Sequence, residues 1–354
     1  MNRPIGVIVV GCGNMGSSHA RAYHQMPGFE ILGLVSRTPE SRDQLSAELG
    51  GHPTFATLAD ALKASQAQAV SINTYPDSHA ALVREALNAN CHVFVEKPLA
   101  LTVEEASDLV RLARSRNLKL VVGYILRVHP SWARFVEEAR KLGKPLVMRM
   151  NLNQQSSGAQ WYTHRQLMKS MSPIVDCGVH YVDIMCMMTE SRPVSVSAIG
   201  VRLTEEINPD MYNYGQLQVR FEDGSVGWYE AGWGPMMSET AFFIKDVIGP
   251  GGSVSISDVP EGSSDDIEGH TQTGMLRIHY SSLNPDGSFD KKDALISVEN
   301  EPDHDGLCLL EQEFFLSAIT EDRDISRHLQ DAVDSLQIVL AADASVREGK
   351  TILL

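Results

Sequence analysis

The sequence has no surplus of basic residues. Its 354 residues include 30 lysines and arginines against 45 aspartates and glutamates, which gives a formal net charge of −15 at pH 7. A protein of this charge has no basic field to attract the phosphates of a nucleic acid or of an anionic membrane. We therefore expect neither partner. An anionic cofactor stays possible, because one pocket can be positive on an acidic protein.

Long apolar runs and paired cysteines are also missing. No run approaches the ~18 residues that a helix needs to cross a bilayer, and the first residues lead into a strand-like run without a secretory pattern. The five cysteines have no paired spacing, which is typical of reduced thiols in the cytoplasm. We expect a cytoplasmic protein. Cys177 beside Asp176 is interpreted as a packing residue rather than a nucleophile.

A glycine-rich turn follows the first strand-like run. Residues 5–10 are almost all apolar, as in a strand buried on both faces. The letters G-C-G-N-M-G follow, before a helical pattern. In such a turn the first glycine permits the bend, the second lets a pyrophosphate approach and the third allows close helix–strand packing. The helix N-terminus then offers N–H groups to the anion. The pattern predicts a dinucleotide site that contains Gly11, Gly13, Asn14, Met15 and Gly16.

The second strand-like run ends at Ser36 and Arg37. An NAD enzyme usually has Asp or Glu here, where the carboxylate holds the ribose 2′-hydroxyl. A hydroxyl and a guanidinium suit the 2′-phosphate of NADP instead. The alternative is that Arg37 stacks on adenine or faces water. The expected cofactor is NADP or NAD, with NADP favoured.

Strand and helix patterns alternate through residue 124. Repeated units of this length predict an α/β Rossmann domain with a doubly wound parallel sheet at residues 1–124. From residue 145 the strands become longer and alternate apolar with polar residues, with a hairpin signal at Glu222-Asp223-Gly224. We expect residues 125–354 to form an α+β domain with a large, mainly antiparallel open sheet. Its C-terminal helices are candidates to pack back on the first domain.

Two polar segments follow predicted strands of the first domain, where ligands bind in parallel sheets. The first segment runs from Thr74 and Tyr75 to His79, and the second is Glu96-Lys97-Pro98. Lys97 lies in a short turn between a buried strand and a proline, which restricts its backbone to an extended conformation. The alternative is a surface lysine paired with Glu96.

The letters D-C-G-V-H-Y-V-D at residues 176–183 lie in an apolar helical pattern that covers residues 174–188. Positions three and four apart share a helix face, so Asp176, His180 and Asp183 are predicted to line one stripe, with Gly178 roughly opposite. Alone, this stripe also fits an acidic helix N-terminus and a core histidine. The glycine turn and Lys97 in the same chain favour catalysis, with a structural role for Asp183.

The order and spacing of the glycine turn, Glu96-Lys97-Pro98 and the 176–183 segment resemble the glucose–fructose oxidoreductase / inositol dehydrogenase / MocA (Gfo/Idh/MocA) family of NAD(P)-dependent oxidoreductases. The likeness extends over nearly the whole chain and includes residues 124–130. It implies that the outer face of the second sheet builds a homodimer or homotetramer, and that the nicotinamide lies between the sheet and the Rossmann domain. In the family, the Lys97–Pro98 bond is often cis. Two departures are the position of the proline at residues 74–79 and the lack of an acidic ribose anchor.

The resemblance assigns Lys97, Asp176 and His180 as catalytic residues of a dehydrogenase that acts on a secondary alcohol or ketone of a sugar, cyclitol or related polyol. Histidine suits the general base, Asp176 would orient it and Lys97 would stabilise alkoxide charge. The histidines have no zinc-site spacing, and hydride transfer needs no metal. The alternatives are an NAD-dependent glycosidase and a non-catalytic dinucleotide sensor, although such sensors usually lack the lysine or the histidine.

Further contacts are expected on both ligands. Cofactor contacts are predicted for Thr74, Tyr75, His79, Glu96 and Lys97. Substrate contacts are predicted for Lys97, Tyr124, Arg127, Asn153, Trp161, Asp176 and His180, with polar loops at residues 154–162 and 205–214. Less favoured candidates are Gln160, Tyr162, His164, Arg165, Glu230 and Trp233. Residues 260–274 are predicted to be a flexible excursion. The sequence has no readable code for the substrate itself or for the direction of reaction.

Overall fold

The computed structural model describes residues 3–238, 244–258, 273–298 and 301–354. The chain divides into two compact units. The first unit contains Met1–Val128 and Pro302–Val333, and the second contains His129–Glu301 and Asp334–Leu354. In the part of the chain that the structure describes, no helix has the length and apolar character of a membrane span.

The strands and helices are numbered in chain order. The strands are β1 (Ile5–Val10), β2 (Phe29–Val35), β3 (Thr54–Phe55), β4 (Ala69–Ile72), β5 (His92–Glu96), β6 (Leu120–Gly123), β7 (Val147–Gln155), β8 (Pro193–Val201), β9 (Tyr214–Phe221), β10 (Val226–Gly234), β11 (Lys245–Gly249), β12 (Gly252–Asp258), β13 (Met275–Tyr280), β14 (Ala294–Ser297) and β15 (Ile352–Leu353). The helices are α1 (Asn14–Gln25), α2 (Pro39–Glu48), α3 (Leu58–Ala64), α4 (His79–Asn88), α5 (Val103–Ser115), α6 (Ile125–Val128), α7 (Pro130–Lys141), α8 (Gly158–Leu167), α9 (Pro173–Asp176), α10 (Gly178–Thr189), α11 (His304–Thr320) and α12 (Ser326–Glu348).

The first unit is built on a six-stranded sheet in the order β3-β2-β1-β4-β5-β6. All of its strand pairs are parallel, and the order reverses between β1 and β4, as in a doubly wound fold. The predicted Rossmann domain is confirmed. In the same unit, α11 packs against α1 and α6.

The second unit contains a nine-stranded sheet in the order β14-β13-β12-β11-β7-β10-β9-β8-β15. Among the described strand pairs of this second sheet, β7–β10 is the only parallel one, and the others are antiparallel. The predicted mainly antiparallel sheet is therefore confirmed. The predicted hairpin joins β9 to β10, and Gly224 has the positive φ of 85° that such a turn requires.

Two predictions of local structure need correction, and one strand was missed. The polar loop expected at residues 154–162 is instead the end of β7 followed by the start of α8. The single helix expected at residues 174–188 is divided at Cys177 into α9 and α10. The short strand β3, which pairs with β2, was not predicted. Most of the excursion expected at residues 260–274 lies outside the described residues.

Candidate active site

The glycine turn between β1 and α1 has the shape that a bound pyrophosphate requires. Gly11 has a φ of +95°, and a Cβ atom there would lie 2.3 Å from the carbonyl oxygen of Asn73. A Cβ atom at Gly16 would lie 1.8 Å from the carbonyl oxygen of Gly11. A Cβ atom at Gly13, in contrast, would have no described atom within 4 Å. Gly11 and Gly16 therefore permit close backbone contacts, and Gly13 faces open space.

The N-terminus of α1 has no competing side chain among the described residues. Gly13 is its N-cap, no side chain caps the helix and its first turn contains no acidic residue. Asn14 is exposed and Met15 is half-buried. The free N–H groups and the positive end of the helix dipole fit an anion. These are residues of the predicted dinucleotide site, which stays a prediction.

The end of β2 carries two guanidinium groups rather than one. Arg37 is exposed and Ser36 is half-buried. Arg42 donates to the carbonyl oxygen of Ser36 at 2.7 Å. Burial raises the pKa of the Cys12 thiol to about 11, and the nearby Arg42 charge opposes that rise. Arg42 thus lies close to both β2 and the glycine turn. Sequence reasoning missed it because it falls inside α2, beyond the expected anchor position.

His79 joins the two polar segments that follow β4 and β5. Its Nδ1 lies 2.7 Å from the carbonyl oxygen of Pro98, and its Nε2 lies 2.9 Å from that of Thr74. The ring is completely buried, whereas Tyr75 is 71% exposed. The buried His79 ring therefore contacts the backbone of both segments, and Tyr75 lies at the surface. The Lys97–Pro98 peptide bond is cis, as the resemblance implied.

Glu96 lies beneath Lys97 at the end of β5. Its Oε1 is 2.8 Å from Nε2 of His19, and its Oε2 accepts the backbone N–H of Lys97 at 3.3 Å. Burial alone would raise the pKa of Glu96, but the hydrogen bond to His19 and then the charge of Lys97 bring it below its usual value. Glu96 is therefore a carboxylate, buried rather than exposed to a ligand, and Lys97 is half-buried.

Asp176 and His180 lie on either side of the turn at Cys177. Asp176 ends α9, and the N–H of His180 bonds to the carbonyl oxygen of Cys177 at 3.2 Å, three residues back. This tighter turn replaces the continuous stripe expected from the sequence. Both side chains are half-buried, whereas Asp183 is completely buried. The structure thus separates Asp183, in the interior, from the two predicted catalytic residues.

Gly178 lets this turn approach the second sheet. A Cβ atom at Gly178 would lie 2.8 Å from the ring of Tyr229 on β10. Burial raises the pKa of Tyr229 well above its usual value, and the nearby charges of Cys177, Tyr181 and Asp176 add to the rise. The Tyr229 hydroxyl is buried and has no hydrogen bond among the described residues. Sequence reasoning missed Tyr229, which had no motif to mark it.

Gln154, rather than Asn153, lies on the sheet face that Tyr229 shares. Its Oε1 accepts from Nε1 of Trp233 at 2.8 Å and lies 3.7 Å from the sulfur of Cys177. Asn153 instead bonds to Glu230, and strand alternation places that pair on the opposite face. The structure therefore does not bring Asn153 together with Asp176 and His180.

The other predicted substrate residues lie in the interior of their own units. Tyr124 is 2% exposed, and Arg127 in the same unit donates to Asp331 at 2.8 Å. In the second unit, Trp161 belongs to an apolar cluster with Met168, Ile207 and Trp233. The remaining candidates are also occupied or peripheral: His164 stacks on Trp233 with ring centroids 4.4 Å apart, Arg165 pairs with Glu206, and Tyr162 is exposed.

A two-unit fold with a pyrophosphate-shaped glycine turn defines a dinucleotide-binding oxidoreductase architecture. A family model described as an oxidoreductase family with an NAD-binding Rossmann fold matches residues 5–124. A second model, the GFO/IDH/MocA C-terminal domain, matches residues 133–245. The chain belongs to the Gfo/Idh/MocA family of oxidoreductases, and its cofactor is NAD or NADP. The resemblance stated from the motifs is confirmed.

Two of the relatives that this chain resembles are named dehydrogenases. The chain is 31% identical over 200 residues to UDP-N-acetylglucosamine 3-dehydrogenase of Acidithiobacillus ferrooxidans, which covers 54% of this chain and 57% of that protein. It is 26% identical over 369 residues to scyllo-inositol 2-dehydrogenase (NAD(+)) of Bacillus subtilis, with 100% and 97% covered. The chain thus spans little more than half of the first relative and nearly all of the second.

Solved structures share the fold over the whole chain. GenD2 from gentamicin A biosynthesis, solved in complex with NAD, matches with a TM-score of 0.77 and 22% identity, with 100% of this chain and 97% of that chain covered. An NAD-binding oxidoreductase from Klebsiella pneumoniae matches with a TM-score of 0.80 and 16% identity, with 99% of each chain covered. At these identities the likeness supports the fold alone.

Proposed function

We propose that this protein is a dehydrogenase that transfers hydride between NAD(P) and a secondary alcohol or ketone of a sugar, cyclitol or related polyol. The observation that carries the proposal is the placement of half-buried Lys97, Asp176 and His180 at the ends of buried elements, in a chain with a pyrophosphate-shaped glycine turn. The names of the relatives, which are sugar and inositol dehydrogenases, support the substrate class.

The residues of the glycine turn would hold the cofactor. Asn14 and Met15 begin α1 next to Gly13, whose Cβ position is open space, and a pyrophosphate there would be neutralised by the N-terminus of α1. When bound, the nicotinamide supplies the hydride acceptor or donor, so the chain has to manage only the alcohol proton and the charge on oxygen. Neither task needs a metal ion.

His180 is proposed as the general base that takes the alcohol proton, or as the acid that returns it in the reverse reaction. Asp176, at the end of the helix before it, would orient the imidazole and stabilise its charged form. Lys97 would donate a hydrogen bond to the substrate oxygen as negative charge develops there. The Glu96 carboxylate beside Lys97 favours the ammonium form that such a donor requires.

The catalytic assignment is tested with two variants and a substrate panel. Lys97→Met and His180→Ala should each abolish oxidation of a sugar, cyclitol and polyol panel, because one loses the oxygen-stabilising donor and the other the base. Each variant should bind the dinucleotide within a few-fold of the parent protein. Near-normal turnover in both variants contradicts the assignment. Cleavage of glycosides without net reduction of the cofactor would support the glycosidase instead.

The preference for NADP is proposed from Ser36, Arg37 and Arg42. Two guanidinium groups and a hydroxyl lie where an acidic ribose anchor would favour NAD. Replacing either arginine by alanine should weaken NADP binding about tenfold or more while leaving NAD binding within about twofold, since one charge-assisted hydrogen bond contributes about 1.5–3 kcal/mol. Arg21→Ala, an exposed arginine on α1 that pairs with Glu48, is the matched control. Equal losses for both cofactors would remove the preference.

A homo-oligomer through the open sheet is proposed from its exposed apolar side chains. Val147, Ile199, Val201, Ile248 and Leu295 are each at least 40% exposed, and the strand registers put all of them on the face that carries Asn153. Exposed apolar side chains gathered on one face of a sheet are typical of a protein interface. Ile199→Lys should shift the sedimentation of the protein toward the monomer. An unchanged oligomer, or a parent protein that is already monomeric, contradicts this assembly.

A further inference from the structure

A buried chain of hydrogen bonds runs through the interior of the first unit to the peptide of Lys97. The hydroxyl of Tyr23 donates to Oε1 of Gln312 at 2.5 Å. Nε2 of Gln312 lies 2.9 Å from Nδ1 of His19, and Nε2 of His19 lies 2.8 Å from Oε1 of Glu96. Oε2 of Glu96 accepts the N–H of Lys97. We call these four linked side chains, Tyr23, Gln312, His19 and Glu96, the buried chain.

The direction of these bonds fixes the form of His19. Because the Tyr23 hydroxyl donates to the oxygen of the Gln312 amide, the amide nitrogen faces His19 and donates to its Nδ1. The proton of the neutral ring is then on Nε2, which donates to Glu96. Tyr23, His19 and Gln312 are at most 1% exposed, so water cannot substitute for any of these partners.

A second carboxyl group lies next to Glu96. A Cβ atom at Gly123 would be 3.4 Å from Oε1 of Glu96 and 3.5 Å from Oε1 of Glu311. Glu311 is 3% exposed, and its Oε1 has no hydrogen bond among the described residues. Burial, together with the charge of Glu96, raises the pKa of Glu311 well above its usual value. The two pKa shifts have opposite directions: the pKa of Glu311 is raised and that of Glu96 is lowered, so Glu96 ionises first.

Four further titratable groups of the first unit lie around Glu96. His19 faces it from α1, His79 from α4, and Cys308 from α11, while Lys97 follows it in the chain. Burial keeps the Cys308 thiol neutral by raising its pKa. The charge of Lys97 lowers the pKa of Glu96, and by reciprocity the Glu96 carboxylate stabilises the Lys97 ammonium.

We propose that the buried chain is a positioning device for Lys97: Tyr23, Gln312 and His19 hold Glu96 in one orientation, and Glu96 fixes the backbone and the ammonium charge of Lys97. The role of Lys97 in catalysis rests on the proposed function. The control of its charge by residues as far apart in the sequence as His19 and Gln312, 293 positions, does not. Tyr23 and Gln312 are linked to Glu96 through His19, so their effect on Lys97 would pass through His19 and Glu96.

The charge of Lys97 can be measured without any enzymatic activity. Lysines are labelled by reductive ¹³C-methylation, the Lys97 signal is assigned with Lys97→Arg, and its titration is followed by NMR in the full-length protein. Gln312→Leu releases the imidazole of His19, which can then turn or take a second proton and cancel the Glu96 charge. The midpoint of the Lys97 titration should move to lower pH in Gln312→Leu, less in Tyr23→Phe and most in Glu96→Gln.

Glu313→Gln is the matched control, because it removes an exposed carboxylate beside Gln312 on the same helix. It should leave the Lys97 titration where it is in the parent protein. If Gln312→Leu does not fold, the comparison of Tyr23→Phe with Glu313→Gln still decides, since phenylalanine keeps the ring and loses only the hydroxyl. An unchanged Lys97 titration in a folded Tyr23→Phe or Gln312→Leu protein overturns the proposal.

Kinetics separate this inference from the proposed function. If the protein oxidises a member of the substrate panel, kcat should fall about tenfold in Gln312→Leu, equivalent to about 1.4 kcal/mol. The alkaline limb of its pH profile should move to lower pH, and the dissociation constant of the dinucleotide should stay within about twofold. A parent protein without activity whose Lys97 titration still shifts in the variants contradicts the proposed function alone. Unchanged kcat and pH profile in both folded variants of an active protein contradict the positioning role.

Discussion

Glu311→Gln tests whether the buried pair of carboxyl groups carries a single negative charge. Glutamine has nearly the same shape as a protonated glutamic acid but no proton to lose. In the parent protein, the pKa of Glu311 is raised well above its usual value of 4.5, because the side chain is buried next to Glu96. The substitution should therefore change how the stability of the protein depends on pH, with little change in packing.

The sign follows from proton linkage. A carboxyl group with a raised pKa in the folded state binds more protons there than in the unfolded state, so its contribution is complete below the unfolded value of 4.5 and is lost as pH rises through the folded value. The loss is about 1.4 kcal/mol per pH unit. As pH rises from 5 to 7, the free energy of unfolding of Glu311→Gln should therefore rise relative to that of the parent protein, by at most about 1.4 kcal/mol per pH unit.

The assay is urea-induced unfolding, followed by tryptophan fluorescence at several pH values between 5 and 7. Subtracting the two free energies at each pH cancels the titration of the groups that both proteins share. Glu313→Gln, which removes an exposed carboxylate from the same helix α11, is the control. A difference for Glu311→Gln that varies with pH no more than that of the control would show that the pKa of Glu311 is not raised in the folded protein, and would refute the reasoning.

A bound metal ion is the alternative source of such a result. His19, Cys308 and Glu311 offer ligand atoms within 4.8 Å of one another, and a cation among them would keep Glu311 ionised. Both ring nitrogens of His19 already have partners in Gln312 and Glu96. The purified protein should therefore contain no stoichiometric transition metal by elemental analysis. One metal ion per chain would refute the protonated pair.

Two further pairs of substitutions distinguish buried groups that look alike in the sequence. Tyr23→Phe should lower the free energy of unfolding by about 1–3 kcal/mol, because it leaves the Gln312 oxygen buried without its donor. Tyr229→Phe should change the free energy of unfolding by less than about 0.5 kcal/mol, because no hydrogen bond is lost. Chemical unfolding measures both, and equal effects would contradict the bonding described. Gly13→Ala should fold normally and weaken dinucleotide binding about tenfold or more, about 1.4 kcal/mol, because its Cβ fills the open space of the turn. Gly16→Ala should instead lower stability by about 1–3 kcal/mol, because its Cβ meets the Gly11 carbonyl; calorimetry and thermal unfolding separate the two, and tight binding by Gly13→Ala would contradict the placement of the pyrophosphate.

Most strands of the first unit could be predicted because their signals are local. The strands that become β1, β2, β4 and β5 are short apolar runs bounded by turns, and the sequence placed each within about one residue of its observed bounds. The glycine turn was predictable because each glycine answers a different steric demand of one compact bend. Strand β3 was missed because its two residues are too few to show a sequence pattern, and it is defined by its pairing with β2.

The second unit was harder because both faces of its sheet are buried in places. Asn151, Asn153 and Gln154 are all buried on β7, so alternation of polar and apolar residues does not tell which face is which. The register with β10 decides it, because Gln154 shares a face with Tyr229 and Asn153 does not. The turn at Cys177 was equally hidden, since an apolar helical pattern runs through it without a proline or a glycine before Gly178.

Local sequence patterns could not predict the buried hydrogen bonds that lead to the candidate catalytic residue Lys97. Tyr23 and Gln312 are 289 positions apart and meet only because α11 returns to pack on α1. Each looks like an ordinary polar residue on an amphipathic helix. A buried polar group without a partner costs about 1–3 kcal/mol, so a folded chain has to connect such groups to one another. In this protein the connected groups lead to Glu96 and the peptide N–H of Lys97. The hydrogen bonds that stabilise the packing of α1 and α11 are therefore also the ones proposed to control the charge of Lys97, the residue proposed to stabilise the substrate oxygen.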